Sequence, residues 1–147
     1  MGGTSAGTPQ SRKLGLTGGC RLWLDEPPAS WRLEDPPEGL VDVAHTLEPA
    51  DVVIAFFTAA DQLAPRLPAL GQRIFPSGSL WAAWPRRAGG HRSDITDVIV
   101  RERALELGLV DVKVAAIDED WSGLRFVWRV AARAEPRIGT GSSPRSG

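Results

Sequence analysis

The chain has 147 residues, of which 42% are hydrophobic and 24% charged, and its formal net charge at pH 7 is −1. These proportions are typical of a folded globular domain and exclude a disordered or collagen-like chain. A net charge so close to zero predicts no overall attraction to nucleic acid or to an acidic membrane.

The cysteine content and the hydropathy of the chain limit which kinds of site it can form and where in the cell it is expected. Cys20 is the only cysteine, so an internal disulfide and a cysteine-based zinc site are both excluded. Residues 1–10 are rich in glycine, serine and threonine and have no apolar core, which argues against a signal peptide. No apolar run approaches the roughly 20 residues that a membrane-spanning helix needs. We therefore expect a cytoplasmic protein with no membrane partner.

The composition of the two ends predicts a single domain with flexible tails. Residues 1–12 and 134–147 are small, polar and dotted with proline. Such segments bury too little apolar surface to offset the entropy of ordering. We expect one α/β domain over residues 13–133.

In the first half of the chain, three segments are typical of strands. Arg21–Leu24 is the first, and two Pro-Pro pairs after it leave room for one helical turn around Trp31. Val41–Leu47 is a weaker strand, and Asp51–Phe57 contains a continuous apolar run that suits a strand covered on both faces. Only three residues separate these two, whereas a parallel crossover needs about a dozen. We predict an antiparallel pair, unless Val41–Leu47 is mostly irregular.

Two helices and a further strand are predicted in the centre. Apolar residues from Leu63 to Ile74 recur at helical spacing, although Pro68 should kink or restart this helix. Ser79–Trp84 reads as a buried strand. A second helix is expected to begin at Asp94 and to end near Gly108.

The C-terminal part predicts a β-hairpin. Val112–Ile117 and Leu124–Val130 flank a six-residue loop, Asp118–Gly123, and the second strand alternates apolar and polar residues. The order of elements predicts an α/β fold with a mostly parallel sheet, helices on its faces and a C-terminal antiparallel hairpin. This layout resembles a degenerate, methyltransferase-type Rossmann-like fold, and fold alone does not imply function.

Cofactor and catalytic motifs are absent from the sequence. A dinucleotide or S-adenosylmethionine site needs a glycine-rich turn after the first strand, but here Asp25-Glu26-Pro27-Pro28 follows it. There is no phosphate-binding G-x-x-x-x-G-K-[ST] loop and no G-x-S-x-G motif. His45 and His91 are isolated, so nothing in their spacing indicates a metal site. We expect no cofactor, no metal and no assigned catalytic residue, and we favour a protein that is not an enzyme.

Three stretches resemble a known family. They are Ser79-Leu80-Trp81-Ala82-Ala83-Trp84-Pro85-Arg86-Arg87, Ser93-Asp94-Ile95-Thr96, and Gly108-Leu109-Val110-Asp111-Val112-Lys113 with Asp118-Glu119-Asp120-Trp121-Ser122-Gly123-Leu124-Arg125. Together they are similar to a family of small bacterial proteins known as domain of unknown function 3052 (DUF3052). The similarity spans roughly residues 14–130. Arg86 and Arg87 stand where lysines are common in that family. The resemblance implies an extent for the domain and no activity.

One edge of the predicted sheet collects the residues most suited to binding. Ligands of open α/β sheets bind beyond the carboxyl ends of the parallel strands. The sequence brings two arginines, two tryptophans and the start of a helix to that edge. The candidate ligand-binding residues are Trp84, Arg86, Arg87, His91, Asp94, Thr96, Asp118 and Trp121. In the alternative interpretation, which we favour at this point, the arginines pair with Asp118 and Asp120 and only hold the hairpin in place.

These observations leave three functional hypotheses. The leading one is a non-catalytic binding or regulatory module whose partner is another protein or a second copy of the chain. A second is a small anionic-ligand-binding protein or enzyme that uses the edge around Trp84–Arg87 and Asp118–Ser122. The third, binding of nucleic acid, is the weakest because of the net charge.

Overall fold

A computed structural model of the chain describes residues 9–87 and 90–130. Within these residues the chain forms a sheet of six strands with helices packed against it. The strands are β1 (Arg21–Asp25), β2 (Val41–Asp42), β3 (Val52–Phe56), β4 (Ser79–Pro85), β5 (Leu109–Ala116) and β6 (Trp121–Trp128). The helices are α1 (Gln10–Lys13), α2 (Leu63–Ile74) and α3 (Asp97–Leu105), with a 3-10 turn at Ala60–Gln62 before α2. No helix in the described residues combines the length and the apolar character that a membrane-spanning segment requires.

The sheet is mostly parallel and closes with an antiparallel hairpin. Its strand order is β2-β1-β3-β4-β6-β5. β1 pairs in parallel with β2 and β3, and β3 pairs in parallel with β4. β6 lies antiparallel to β4 on one side and to β5 on the other. The predicted α/β class, with a mostly parallel sheet and a C-terminal hairpin, is confirmed.

Both faces of the sheet are covered, by different parts of the chain. α2 and α3 pack on one face, here called the helix-covered face, against Val53, Ala55 and their neighbours on β4 and β6. On the loop-covered face, Ile54 and Phe56 pack against apolar residues from the segment 14–40. All five residues of β3 are buried, which is why its apolar run does not alternate with polar residues.

The predicted pairing of the second strand is wrong. β2 consists of Val41 and Asp42 only, and it pairs in parallel with β1 instead of antiparallel with β3. The 15 residues from 26 to 40 give the chain enough length for this crossover. The segment after β2 does not extend as a strand, because Arg73 of α2 donates to the carbonyl oxygens of Val43 and Glu48.

The expected boundary of the N-terminal tail at residue 12 is also wrong. α1 includes residues 10–12, and Gln10 and Ser11 are buried. The Gln10 side-chain amide donates to Ile117 O at 3.0 Å and accepts from the Glu34 backbone N–H at 2.7 Å. A polar residue can therefore be buried there at little cost, because both ends of its amide are satisfied. Most of the two expected tails lies outside the described residues.

The two long helices differ in detail from their sequence-based description. α2 does not restart at Pro68, which lies inside the helix on its exposed side. α3 begins later than expected, because Thr96 is its N-cap and accepts from the Ile99 backbone N–H at 3.3 Å. Asp94, predicted to start this helix, instead accepts from the backbone N–H of Ala60 at 2.8 Å.

The hairpin turn is shorter than predicted. Four residues, 117–120, separate β5 from β6, where we expected six, because Trp121 and Ser122 are already part of β6. The Asp118 carboxylate tightens the turn by accepting from the backbone N–H groups of Asp120 and Trp121. Gly123, assigned to the loop from sequence, lies in the sheet between Ala83 and Ala115.

Candidate functional site

A groove opens where β4 leaves the sheet, beside the first turn of α3. Its volume is about 510 Å³, and it is called the rim groove below. Four of the residues selected from sequence line it, and side chains of α3, β5 and β6 complete its wall. The four are Trp84, Arg86, Arg87 and Thr96.

The strand register explains why these residues meet. Trp84 pairs with Ser122 of β6, so both side chains lie on the helix-covered face of the sheet. Pro85 pairs with Trp121, and the chain then leaves the sheet with the Arg86 backbone N–H bonded to Asp120 O at 2.8 Å. Arg86 and Arg87 therefore lie at the mouth of the groove. Val114 and Ala116 of β5 form an apolar wall across from them.

The two arginines have no acidic partner among the described residues. Arg86 makes one long contact, 3.4 Å from its Nη1 to Glu119 O, and no salt bridge of either arginine is present. Asp118, the expected partner, accepts instead from the Trp31 indole N–H at 2.8 Å. Asp120 pairs with His91 at 2.9 Å. The ion pairs that would have made these arginines structural are therefore not formed in this part of the chain.

The N-terminus of α3 adds to the positive potential of the rim groove. Thr96 and Asp97 both line the groove. The first backbone N–H groups of a helix have no intrahelical acceptor, and Thr96 satisfies only that of Ile99. The carboxylate of Asp97 opposes this field, but it lies 3.7 Å from Arg101 one turn later. The remaining N–H groups favour an anion at this end of the groove.

The other four sequence-selected residues lie outside the groove lining. His91 is close by, exposed and tied to Asp120. Asp94 faces the 3-10 turn, where it accepts from Ala60. Asp118 and Trp121 lie on the loop-covered face, where Trp121 packs edge-on against Phe56 with ring centroids 5.0 Å apart.

Sequence reasoning missed Val114 and Asp97 as parts of the groove, and it included Ser122 only as the end of the edge Asp118–Ser122. The position of Ser122 depends on its register with Trp84, which the sequence does not display. The position of Asp97 beside the groove could have been predicted, since it lies in the first turn of a predicted helix. Trp84, selected as a candidate ligand-binding residue at the end of its strand, is only 8% exposed and belongs to the core of the helix-covered face.

The crevice where a cofactor would enter such a sheet is filled by an arginine. The strand order reverses between β1 and β3, and open α/β sheets bind nucleotides beyond that point. Arg66 of α2 reaches there, forms an ion pair with Asp25 and donates to Phe56 O at 2.8 Å. Its guanidinium also lies 4.1 Å from the centroid of the Phe57 ring. A phosphate or carboxylate approaching the backbone here would have to displace a paired, half-buried side chain.

A second cavity, of about 570 Å³, lies alongside β1 and β2. Its lining combines apolar Trp23 and Leu40 with the acidic Glu26 and Asp42 and with His45. Within residues 9–87 and 90–130, no three His, Cys, Asp or Glu side chains come together in a way that would hold a metal ion.

The clearest electrostatic coupling lies at the opposite end of the sheet from the rim groove. The Arg21 guanidinium, hydrogen-bonded to Asp51 at 3.2 Å, holds the pKa of that carboxyl below its usual value. The Arg21 backbone N–H also donates to Asp51, at 2.8 Å. This pair joins the start of β1 to the start of β3 and has no part in the groove.

No protein-family model and no curated protein matches this chain. The resemblance to DUF3052 thus rests on the quoted sequence motifs alone.

Proposed function

We propose that this protein is a non-catalytic binding module that holds an anionic group of its ligand or partner in the rim groove. The observation that carries the proposal is the pair Arg86 and Arg87, which stands without acidic partners in the described residues at the mouth of a groove. Unpaired cations beside a helix N-terminus attract an anion from both sides.

The lining also defines the rest of the ligand. Arginine presents a planar fork that suits a carboxylate or a phosphate. Trp84, Ile95 and Val114 give the groove an apolar interior, and Val114 is 65% exposed. The ligand should therefore combine an anionic end with an apolar or aromatic body.

The groove offers little support for catalysis. An activated nucleophile needs a base within hydrogen-bonding distance. The Thr96 hydroxyl is used as a helix cap, and Ser122 makes no hydrogen bond with His91. An enzyme that uses this edge is the second candidate, favoured only by the His91–Asp120 pair, which could orient a base. Nucleic-acid binding has the least support, because the chain carries a net charge of −1.

The proposal also covers the fold family and the cellular location of the protein. The position of antiparallel β6 between β4 and β5 supports a Rossmann-like sheet of the methyltransferase type that has lost its cofactor site. Arg66 in the crevice between β1 and β3 supports that loss, so we expect no binding of S-adenosylmethionine or nicotinamide dinucleotides. Membership of DUF3052 and a cytoplasmic location belong to the same proposal. The partner would be a small ligand, another protein or a second copy of this chain.

The test removes the two arginines together. We would titrate the wild-type protein and the variant Arg86→Ala/Arg87→Ala with 2-naphthoate, an aromatic carboxylate, and follow binding by NMR. Charge-assisted hydrogen bonds contribute about 1.5–3 kcal/mol each, so affinity should fall at least about tenfold. The free energy of unfolding should change by less than about 0.5 kcal/mol, as for exposed side chains in general.

A matched variant distinguishes the loss of these two arginines from the accompanying change in the net charge of the protein. Arg32→Ala/Arg129→Ala removes two exposed arginines elsewhere and should leave naphthoate binding unchanged. If Arg86→Ala/Arg87→Ala instead lost several kcal/mol of stability, on the scale of about 3–5 kcal/mol for a broken buried ion pair, the arginines would be structural. Equal affinity in all three proteins would place the binding site elsewhere.

A further inference from the structure

A second basic site lies on the loop-covered face, separate from the rim groove. The chain has only two lysines, and they meet although 100 positions apart in sequence. Lys13, at the end of α1, donates to Ala116 O at 2.9 Å. Lys113 of β5 donates to Lys13 O at 3.1 Å. Each ammonium group is thus held in place by a backbone carbonyl.

Arg125 of β6 brings a third positive charge to this place. It is the cross-strand partner of Lys113, so the two side chains leave the sheet side by side on one face. Its Nη2 lies 3.6 Å from the position that a Cβ would take on Gly15, just after α1. Its Nε is buried and has no hydrogen-bond partner.

No acidic side chain among the described residues balances these three charges. None of the six salt bridges in this part of the chain involves Lys13, Lys113 or Arg125. Two acidic residues, Glu34 and Asp35, contact α1 through their backbone carbonyls, which accept from the Ser11 hydroxyl. Like charges directly opposite each other across two strands destabilise a sheet. The arrangement is favourable when an anion lies between them.

We propose that Lys13, Lys113 and Arg125 form a binding site for a phosphate group. A phosphate carries nearly two negative charges and three strong acceptor oxygens at neutral pH, which matches several convergent donors better than a single carboxylate does. Lys113 contacts Lys13 through the Lys13 carbonyl oxygen and is the cross-strand partner of Arg125, so the three cations lie in one neighbourhood between α1 and the hairpin. Nucleic acid would require a stripe of charge along a surface, so the bound molecule is a small phosphate compound.

This site is independent of the rim groove. Lys113 and Arg125 project from the loop-covered face, beside Trp81, which pairs with Arg125 in the sheet. The rim groove lies on the helix-covered face, where Trp84 projects. The two tryptophan indoles therefore report on the two sites separately. Trp81 reports on the basic site, because its indole N–H donates to Leu14 O at 3.0 Å, next to Gly15.

The experiment is an NMR titration with inorganic phosphate at constant ionic strength, with chloride as the balancing anion. We expect saturable shifts of the Arg125 Nε–H and Trp81 indole signals, with a dissociation constant in the millimolar range or below. Lys113→Gln, an exposed position, should weaken this response at least fivefold. Arg86→Ala/Arg87→Ala should leave it unchanged.

Each other outcome overturns the proposal. No saturable shift of these signals, or the same shift with chloride alone, would show that no phosphate site exists here. A lower melting temperature in Lys113→Gln with an unaltered phosphate response would show that the cluster only fastens α1 to the hairpin. Binding of a single-stranded oligonucleotide without binding of phosphate or pyrophosphate would replace the small molecule with nucleic acid.

Discussion

Gly123 is the position where the packing of the hairpin is most sharply tested. A Cβ added there would lie 2.8 Å from Cδ1 and 3.0 Å from Cγ1 of Ile117, and 3.0 Å from Cε3 of Trp81. Both neighbours are buried, at 1% and 0% exposure, so neither can move into solvent. Overpacking of this kind costs about 1–3 kcal/mol. Replacing a glycine also lowers the entropy of the unfolded chain, which stabilises the folded state by about 0.5 kcal/mol. We expect Gly123→Ala to lose about 1–2 kcal/mol of stability.

A double-mutant cycle identifies the cause of that loss. Ile117→Val removes the Cδ1 atom that makes the shortest contact, and alone should cost about 1 kcal/mol. Because it also makes room for the new methyl group, the double variant should be more stable than the sum of the two losses by about 0.5–1 kcal/mol. The assay is urea unfolding followed by tryptophan fluorescence. Strictly additive losses, or a Gly123→Ala variant as stable as the wild type, would refute this account of the packing.

Three further predictions concern named polar contacts. Since Arg21 lowers the pKa of Asp51, the pair stabilises the fold above the ordinary carboxyl pKa and this contribution is lost as the pH falls through the lowered value. In the Asp51→Asn variant, the melting temperature should therefore fall less steeply than in the wild type as the pH drops below about 4. An equally steep fall in both proteins would contradict this prediction. Thr96→Ala should cost about 1 kcal/mol in urea unfolding through loss of the α3 cap, whereas Thr96→Ser should cost little. Asp25→Asn leaves Arg66 unpaired with its side chain 23% exposed, so we expect a loss of about 1–3 kcal/mol, less than for a fully buried pair. Adding Arg66→Met should recover most of that loss, and no recovery would show that the pair is not the cause.

The parts of the fold that follow from local patterning could be predicted from the sequence. The uninterrupted apolar run of β3 indicated two covered faces, and all its residues are buried. In β6, Leu124, Phe126 and Trp128 alternate with more exposed residues, as the period of two requires. The helix from Leu63 to Ile74 has the bounds that its apolar spacing predicted.

The parts that depend on contacts between distant segments could not be predicted. The short loop between Val41–Leu47 and β3 suggested a hairpin, but hydrogen bonds from Arg73 hold that segment apart from β3. Gln10 looked like part of a polar tail because its partner, Ile117 O, lies 107 positions away.

The same distinction between local patterning and distant contacts applies to the residues of the candidate site. Arg86, Arg87 and Thr96 were placed correctly at the carboxyl edge because the arginines closely follow a predicted strand and Thr96 lies in the first turn of a predicted helix. Trp84 and Trp121, treated as neighbours, project from opposite faces of the sheet. Their separation follows from the register of β4 with β6, in which Trp121 pairs with Pro85 and not with Trp84.

The central claim is that the rim groove is where this protein holds an anionic ligand. The most direct measurement is a map of backbone and indole NMR shifts during titration with 2-naphthoate. The account predicts that the largest saturable shifts belong to the Trp84 indole and to the backbone N–H groups of Asp97 and Val98, while the Trp31 and Trp121 indoles stay unmoved. Shifts centred on Trp31 and Trp121, or no saturable shift at any groove residue, would contradict it.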